Sequence, residues 1–195
     1  MHEAIVFGED VGHEIVLVGL MKRLADEAGV ELTVRVRSAS GGHGKMLAEV
    51  SRFLHLLRKA KERSPDLVVV GRDANCQGYG GCRKSLESAT GEGPCPIVYA
   101  LPDPHIERWL LSDGGAFRKV VGRGCTPPRE KCDRDRYKKL LNQAVRDAGL
   151  QPLQGGLEYA EEIVRTMDLS AGGRDKSLQH FLTDARAALH LLRRE

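Results

Sequence analysis

Nowhere does the chain reach the roughly 18 consecutive apolar residues expected of a membrane span. Its first residues, Met1-His2-Glu3-Ala4, lack a basic segment, and Ile5 to Phe7 is too short for the apolar core of a signal peptide. A cytoplasmic location and no membrane partner are therefore expected. Cysteine is sparse and irregular: Cys76, Cys82, Cys95, Cys125 and Cys132 form an odd set without a C-x-x-C pair. That pattern argues against a disulfide framework and a structural zinc module, and it leaves free thiols as the simplest state. Neither sign of charge dominates, since 30 Lys and Arg face 27 Asp and Glu for a net charge of +3. Such a balance permits a nucleic-acid partner without demanding one. No internal repeat or low-complexity segment is present. With 195 residues, 41% hydrophobic and 29% charged, the chain suits one sizeable core with a small appended subdomain.

The first half alternates strand and helix. Ala4 to Phe7 reads as a strand, and Leu32 to Val36 as another. Leu67 to Val70 is continuously apolar, as in a strand buried on both faces, and Ile97 to Ala100 is the fourth. Between them, Val16, Leu17, Leu20, Met21 and Leu24 recur at helical spacing before Gly29. Met46, Leu47, Val50, Phe53, Leu54 and Leu57 form a second stripe, stopped by Ser64-Pro65. A short helix is expected around Arg83 to Ala89, and Asp103-Pro104 reads as N-cap and first residue of another. Repeated βα units predict an α/β fold with a mainly parallel sheet flanked by helices. The pattern changes near Gly114. A loop rich in Gly, Pro and charge follows from Gly122, then helical stretches at 135–148, 157–167 and 177–192. The expected organisation is an α/β domain over 1–114, with a loop and helical subdomain over 115–195 packed on it.

Two acidic stretches stand just past strands: Glu9-Asp10 after the first, and Asp73-Ala74-Asn75 after the third. In an α/β sheet the carboxyl ends of the strands lie together, so these groups can converge. Hard oxygen ligands brought together in that way suit Mg²⁺. In an extended segment Asp73 and Asn75 point to the same side. Both residue types also simply shape turns.

In the order and spacing of these motifs the chain resembles the TOPRIM superfamily of topoisomerase, primase and nuclease domains. That superfamily places a Glu after its first strand and Asp-x-Asp after a later one. Glu9 matches the Glu, Glu14 opens the following helix as in many members, and Asp73-Ala74-Asn75 matches Asp-x-Asp. The chain is most similar to poorly characterised bacterial TOPRIM-like proteins related to OLD-family nucleases, often encoded beside ATPases in phage-defence gene clusters. The Gly-rich turn Ser40 to Lys45, the segment Pro104 to Leu111, Tyr159-Ala160 and Ser177 to Phe181 carry that similarity. It departs in two places: Asp10 stands where a Gly usually follows the Glu, and Asn75 replaces the second acid. An amide oxygen coordinates Mg²⁺ without contributing charge, which lowers metal affinity.

The resemblance implies Mg²⁺- or Mn²⁺-dependent hydrolysis of DNA or RNA phosphodiesters. Glu9, Asp73 and Asn75 would be metal ligands, with Glu107 joining them as catalytic residues; Glu9 has general base as its alternative role. A non-catalytic binding or effector subunit of a partner ATPase is the rival, favoured by Asn75. Nucleotidyl transfer is a third option, weakened by the lack of a recognisable nucleotide-binding or zinc module. Glu107 equally suits the first turn of a helix. His105 suits either proton transfer or a structural role. The loop at Gly42 and Lys45 departs from the P-loop pattern but could hold a phosphate on N–H groups and the Lys45 ammonium. Arg118, Lys119, Arg123, Arg129, Lys131 and Arg134 make the next region locally basic, though interspersed acids favour a solvated segment. Trp109 reads as core.

Overall fold

The computed structural model describes residues 1–37, 43–59, 61, 63–126, 133, 135–170 and 175–194, without the side chains of His43 and Cys76. Four strands, β1 (His2–Gly8), β2 (Leu32–Val36), β3 (Leu67–Gly71) and β4 (Ile97–Ala100), form one sheet in the order β2-β1-β3-β4. Every pairing is parallel, with Ala4 opposite Leu67 and Val68 opposite Ile97. The expected strands are all present, and the apolar run at Leu67 is an inner strand buried throughout. β-branched and aliphatic residues on both faces suit a position with neighbours above, below and to each side.

The strand order dictates which helices cover which face. From β1 the chain turns outward to β2 through α1 (Val11–Ala28), then reverses to reach β3 through α2 (His43–Arg58) and β4 through α3 (Gly78–Thr90). Right-handed crossovers in opposite directions put α1 on one face and α2 with α3 on the other. The two cores follow the pleat. Ile5, Phe7, Val68, Val70 and Tyr99 pack under Met46, Phe53, Leu54 and Leu86. Ala4, Val6, Leu67, Val69, Val98 and Ala100 pack under α1.

One crossover helix is too narrow to cover four strands, and the C-terminal helices complete that face. These are α4 (Ile106–Leu111), α5 (Gly114–Val121), α6 (Arg136–Asp147), α7 (Ala160–Thr166) and α8 (Lys176–Leu192). Ile163 and Val164 of α7, and Phe181, Leu182 and Ala185 of α8, share one cluster with α1 and the sheet. Trp109 belongs to it and donates its indole N–H to Ser177 Oγ at 2.8 Å. Arg23 of α1 fastens α7 from outside, donating to the Val164 carbonyl at 2.9 Å. The basic loop is described only in part, because Arg129, Lys131 and Arg134 lie outside the described residues, as does Cys132. Cys82, Cys95 and Cys125 are free thiols. Among the described residues no helix is long and apolar enough to cross a membrane.

One local expectation changes. Asp103 does not cap α4, which starts at Ile106 after His105. Its carboxylate instead accepts from the Tyr79 N–H at 3.0 Å, at the start of α3. The apolar and glycine residues from Gly114 form α5, where Asp113 caps the Gly115 and Ala116 N–H groups.

At the carboxyl edge of the sheet, Gly8 and Gly71 face each other across the β1–β3 pair. A Cβ on Gly71 would overlap Leu17 Cδ1 of α1, and one on Gly8 would come within 2.9 Å of Glu14 Cγ. Absent side chains here let the first turns of α1 lie directly on the strand ends. Gly71→Ala is therefore expected to destabilise the fold by about 1–3 kcal/mol through overpacking. Urea unfolding measures this, and an unchanged midpoint would refute the close approach.

Candidate functional site

The gap between the carboxyl ends of β1 and β3 is where the chain reverses its winding, the place where open α/β sheets bind ligands. Four carboxylates, two imidazoles and a lysine gather there, and each arrives by a local rule of structure. Asp10 is the N-cap of α1, its backbone extended and its Oδ1 accepting from the His13 N–H at 3.1 Å. The same oxygen lies 2.8 Å from His13 Nδ1. The cap thus also fixes the ring of the residue one turn on. His13 is fully buried, and its Nε2 stands 3.1 Å from Asp73 Oδ1. That contact is an ion pair bent too far from linear for a hydrogen bond.

Asp73 lies two residues beyond β3. The segment it belongs to continues beside the end of β4: the Arg72 N–H donates to the Ala100 carbonyl at 2.9 Å, and Ala74 to Pro102 at 2.8 Å. This pairing brings Asp73 to the start of α4. Its Oδ1 accepts from the Ile106 N–H at 2.9 Å and its Oδ2 pairs with His105 Nδ1 at 3.0 Å. Glu9 closes the cluster, since its Oε2 accepts from the Asp73 N–H at 3.2 Å. Lys138, in the first turn of α6, reaches within 3.8 Å of Asp10 Oδ2. Both of those side chains are partly exposed, so solvent screens that pair and it is weak.

The expected residues divide accordingly. Glu9 and Asp73 meet. Asn75 sits beside them in an exposed left-handed turn with φ 48°, and its Nδ2 donates to the Asp73 carbonyl at 3.2 Å. The backbone is not extended there, so Asn75 serves the turn, a conformation Asn tolerates well. Glu107 is only 1% exposed, and its Oε2 has no hydrogen-bond partner among the described residues. It lies near enough to Asp73 for the two charges to interact. Lys45 is exposed in the first turn of α2, while Gly42 lies outside the described residues. His13 is a residue of the cluster that sequence reasoning missed, and Asp10, noted there only as an acid past the first strand, is its partner. The signal was an Asp N-cap followed three residues later by a His in the first turn of a helix.

Electrostatics follow from the packing. Burial pushes the Glu9 carboxyl up, and the charge of Asp73 adds to it. Burial also works against the charged form of His13, yet Asp73 and Asp10 overcome it and push its pKa up to about 10. The reverse holds for the acids: despite burial, His13 holds Asp10 well below the carboxylate range, and His13 with His105 lowers Asp73. The hydrogen bond to Asp73 raises His105, with a further contribution from Glu107. Burial raises Glu107, helped by the charge of Asp73. A buried imidazole of raised pKa between two carboxylates, a carboxyl of raised pKa and an Asp-oriented imidazole stand side by side.

Among the described residues no three His, Cys, Asp or Glu side chains are arranged to hold a metal ion by themselves. Mg²⁺, however, commonly takes one or two carboxylates and completes its shell with water and substrate phosphates. A carboxylate offers about four lone-pair sites. Asp73 has committed most of its sites to His13, Ile106 and His105, whereas among the described residues Glu9 accepts one hydrogen bond, from the Asp73 N–H. The donor set therefore fits a weakly held hard cation centred on Glu9, and does not fit a preformed cage.

Comparisons of the chain with protein-family models, with curated proteins and with solved structures return no match.

The charge triad sets a pH dependence. His13 has its pKa raised in the fold from 6.5 to about 10. Its stabilising contribution is accordingly complete below pH 6.5 and is lost as pH rises through 10. Asp73 is lowered, so its contribution is present above its unfolded value and fades as pH falls through the folded one. His13→Ala, which strands the Asp73 charge, is expected to cost about 3–5 kcal/mol near neutral pH. Chemical denaturation of both proteins should show that difference shrinking between pH 6.5 and 10. A difference constant across that range would show that His13 is not held as a cation.

Proposed function

We propose that the chain is a TOPRIM-like, divalent-metal-dependent phosphodiesterase acting on DNA or RNA. The observation that carries this reading is the meeting of Glu9 and Asp73, 64 residues apart in sequence, at the carboxyl edge of the sheet. Glu9, with the remaining capacity of Asp73 and the exposed amide of Asn75, would hold Mg²⁺ or Mn²⁺. When bound, the ion supplies Lewis acidity and lowers the pKa of water.

The chain's own groups have distinct tasks. In the alternative to ligation Glu9 would be the general base, and burial, with the charge of Asp73, raises its pKa and makes it a better proton acceptor. His105 is oriented through Nδ1 by Asp73 and favours its protonated form. It is the group to donate a proton to a departing oxygen. Asp73 itself is not a base, because its pKa is depressed and its oxygens are engaged; it positions His105 and His13. His13 and Lys138 leave positive charge beside the carboxylates, which reduces the repulsion an approaching phosphate meets.

A specific observation favours a second reading, a non-catalytic binding or effector subunit. Asp73 receives His13, His105 and the Ile106 N–H, so its charge is largely neutralised within the protein. In this reading the same crevice is a recognition site, and the ATPase partner implied by the resemblance would supply the activity.

Cleavage assays on single- and double-stranded DNA and RNA with Mg²⁺ and Mn²⁺ separate the two. Glu9→Gln is expected to lower the cleavage rate by about 100-fold or more. Titration calorimetry should find metal binding weak alone and stronger with a non-cleavable oligonucleotide present. Asn75→Asp should tighten it by restoring an anionic oxygen. Absence of cleavage by the wild type, together with metal affinity indifferent to Asn75→Asp, would leave the binding-subunit reading.

A further inference from the structure

We infer that the open face of β2 is a groove for a single strand of nucleic acid, gripped through its phosphates by Arg35, Arg37 and Arg63. In the order β2-β1-β3-β4 the chain leaving β2 crosses β1 on its way to β3, so α2 packs over β1 and leaves the face of the edge strand open. Thr33 and Arg35 stand opposite Glu3 and Ile5 in the register. Ile5 faces α2, so Thr33 and Arg35 point to this uncovered side. A cleft of about 510 Å³ results, lined by Ile5, Thr33, Phe53 and the three arginines.

The sign of the lining selects an anion. Alternation alone explains polar residues on the open side of an edge strand, since Leu32 and Val34 take the apolar side under α1. It does not explain an excess of one charge. Three arginines face one carboxylate, Glu3, in the cleft, whereas the two signs nearly balance over the whole chain. Two of the guanidiniums are positioned from the protein side. Glu3 Oε1 takes the Nε of Arg35 at 3.0 Å, while 69% of that side chain stays exposed. The Arg37 guanidinium lies 4.5 Å from the centre of the Phe53 ring, a cation–π contact that holds it at the cleft. Arg35 and Arg37 are two residues apart, about 6.6 Å along an extended strand, a repeat that successive phosphates of a single strand can match. Planar guanidinium donors suit phosphate oxygens.

Where the groove leads favours nucleic acid over an acidic peptide. Arg37 continues the ladder past β2, its N–H donating to the Val6 carbonyl at 2.9 Å. It therefore stands at the carboxyl edge of the sheet, next to the end of the strand that Glu9 follows. A strand laid along β2 toward Arg37 arrives at the acidic cluster. A flexible single strand can follow such a cleft, whereas the stiffness of a duplex keeps it from bending into one. Delivery of the strand to Glu9 rests on the phosphodiesterase reading; binding in the groove does not.

Fluorescence anisotropy of labelled oligothymidylate and oligouridylate, titrated with the whole chain and a chelator from about 50 to 200 mM salt, tests the groove. The double variant Arg35→Ala/Arg63→Ala is expected to bind at least about tenfold more weakly. Its slope of log affinity against log salt should be shallower by about 1.4, the loss of two single-strand phosphate contacts. Both side chains are exposed, so the fold should survive, which circular dichroism checks. Arg35→Lys/Arg63→Lys keeps the charges and should keep the slope. Arg165→Ala removes an exposed charge from α7, on the other face of the sheet, and should change neither affinity nor slope. A duplex of the same length should bind more weakly than the single strand. No binding of either oligonucleotide, a slope unchanged in the double alanine variant, or an equal loss in Arg165→Ala overturns the proposal. So does a duplex bound as tightly as the single strand. Displacement of the oligonucleotide by polyglutamate at equal charge concentration would assign the groove to an acidic polypeptide and overturn it as well. The two readings fail separately. Arginine-dependent binding without cleavage of any substrate sinks the phosphodiesterase and keeps the groove, whereas cleavage with binding indifferent to Arg35 and Arg63 does the opposite.

Discussion

The pairing of buried His13 with Asp10 and Asp73 is the contact on which the site depends. One imidazolium joins the first turn of α1 to the segment after β3. A charge removed from water is stable only with partners of opposite sign and satisfied hydrogen bonds. His13 has opposite charge on both sides, with a hydrogen-bonding contact to Asp10 and an ion pair to Asp73, and Asp73 is held in turn by His105 and the Ile106 N–H. The chain of partners runs from α1 through β3 to α4, so three elements are held in register by one network. Moving any one would strand a buried charge.

That network needs close backbones. Gly8 and Gly71 let α1 settle on the strand ends, and the pairing of residues 72–75 with 100–104 carries Asp73 toward α4. The polar cluster is therefore embedded between two well-packed cores, and its geometry inherits their rigidity. Glu9 and Glu107 are different. They are the acids of the cluster whose pKa values rise, Glu9 because burial and Asp73 oppose its charge and Glu107 for the same two reasons. Among the described residues Glu9 accepts one hydrogen bond, and the proposed chemistry draws on its remaining capacity.

Helices from the C-terminal half have a structural reason to be there. With a β2-β1-β3-β4 order, right-handed crossovers put two helices on one face and a single helix on the other. Phe181, Leu182 and Ile163 fill the deficit beside α1. The same packing brings Lys138 and Leu157 to the edge of the acidic cluster, so covering the sheet and walling the site are one event.

Periodicity alone determined the four strands, the principal helices and the parallel sheet, because alternation and apolar runs report burial directly. The positions of Glu9 and Asp73 just past strands also determined that they would share an edge, since parallel strands end together. Tertiary structure decided the rest. Asn75 was legible as a ligand or a turn former, and only the tertiary structure showed that its backbone is left-handed and its Nδ2 is on the Asp73 carbonyl. His13 carries no local signal of burial; its burial depends on Gly71 and Asp73, which are about 60 residues away. The burial of Glu107, whose Oε2 has no hydrogen-bond partner among the described residues, likewise arises only in the packed structure. Local pattern specifies which face of an element is buried, but the partner of a buried charge is set by long-range packing that no local window contains.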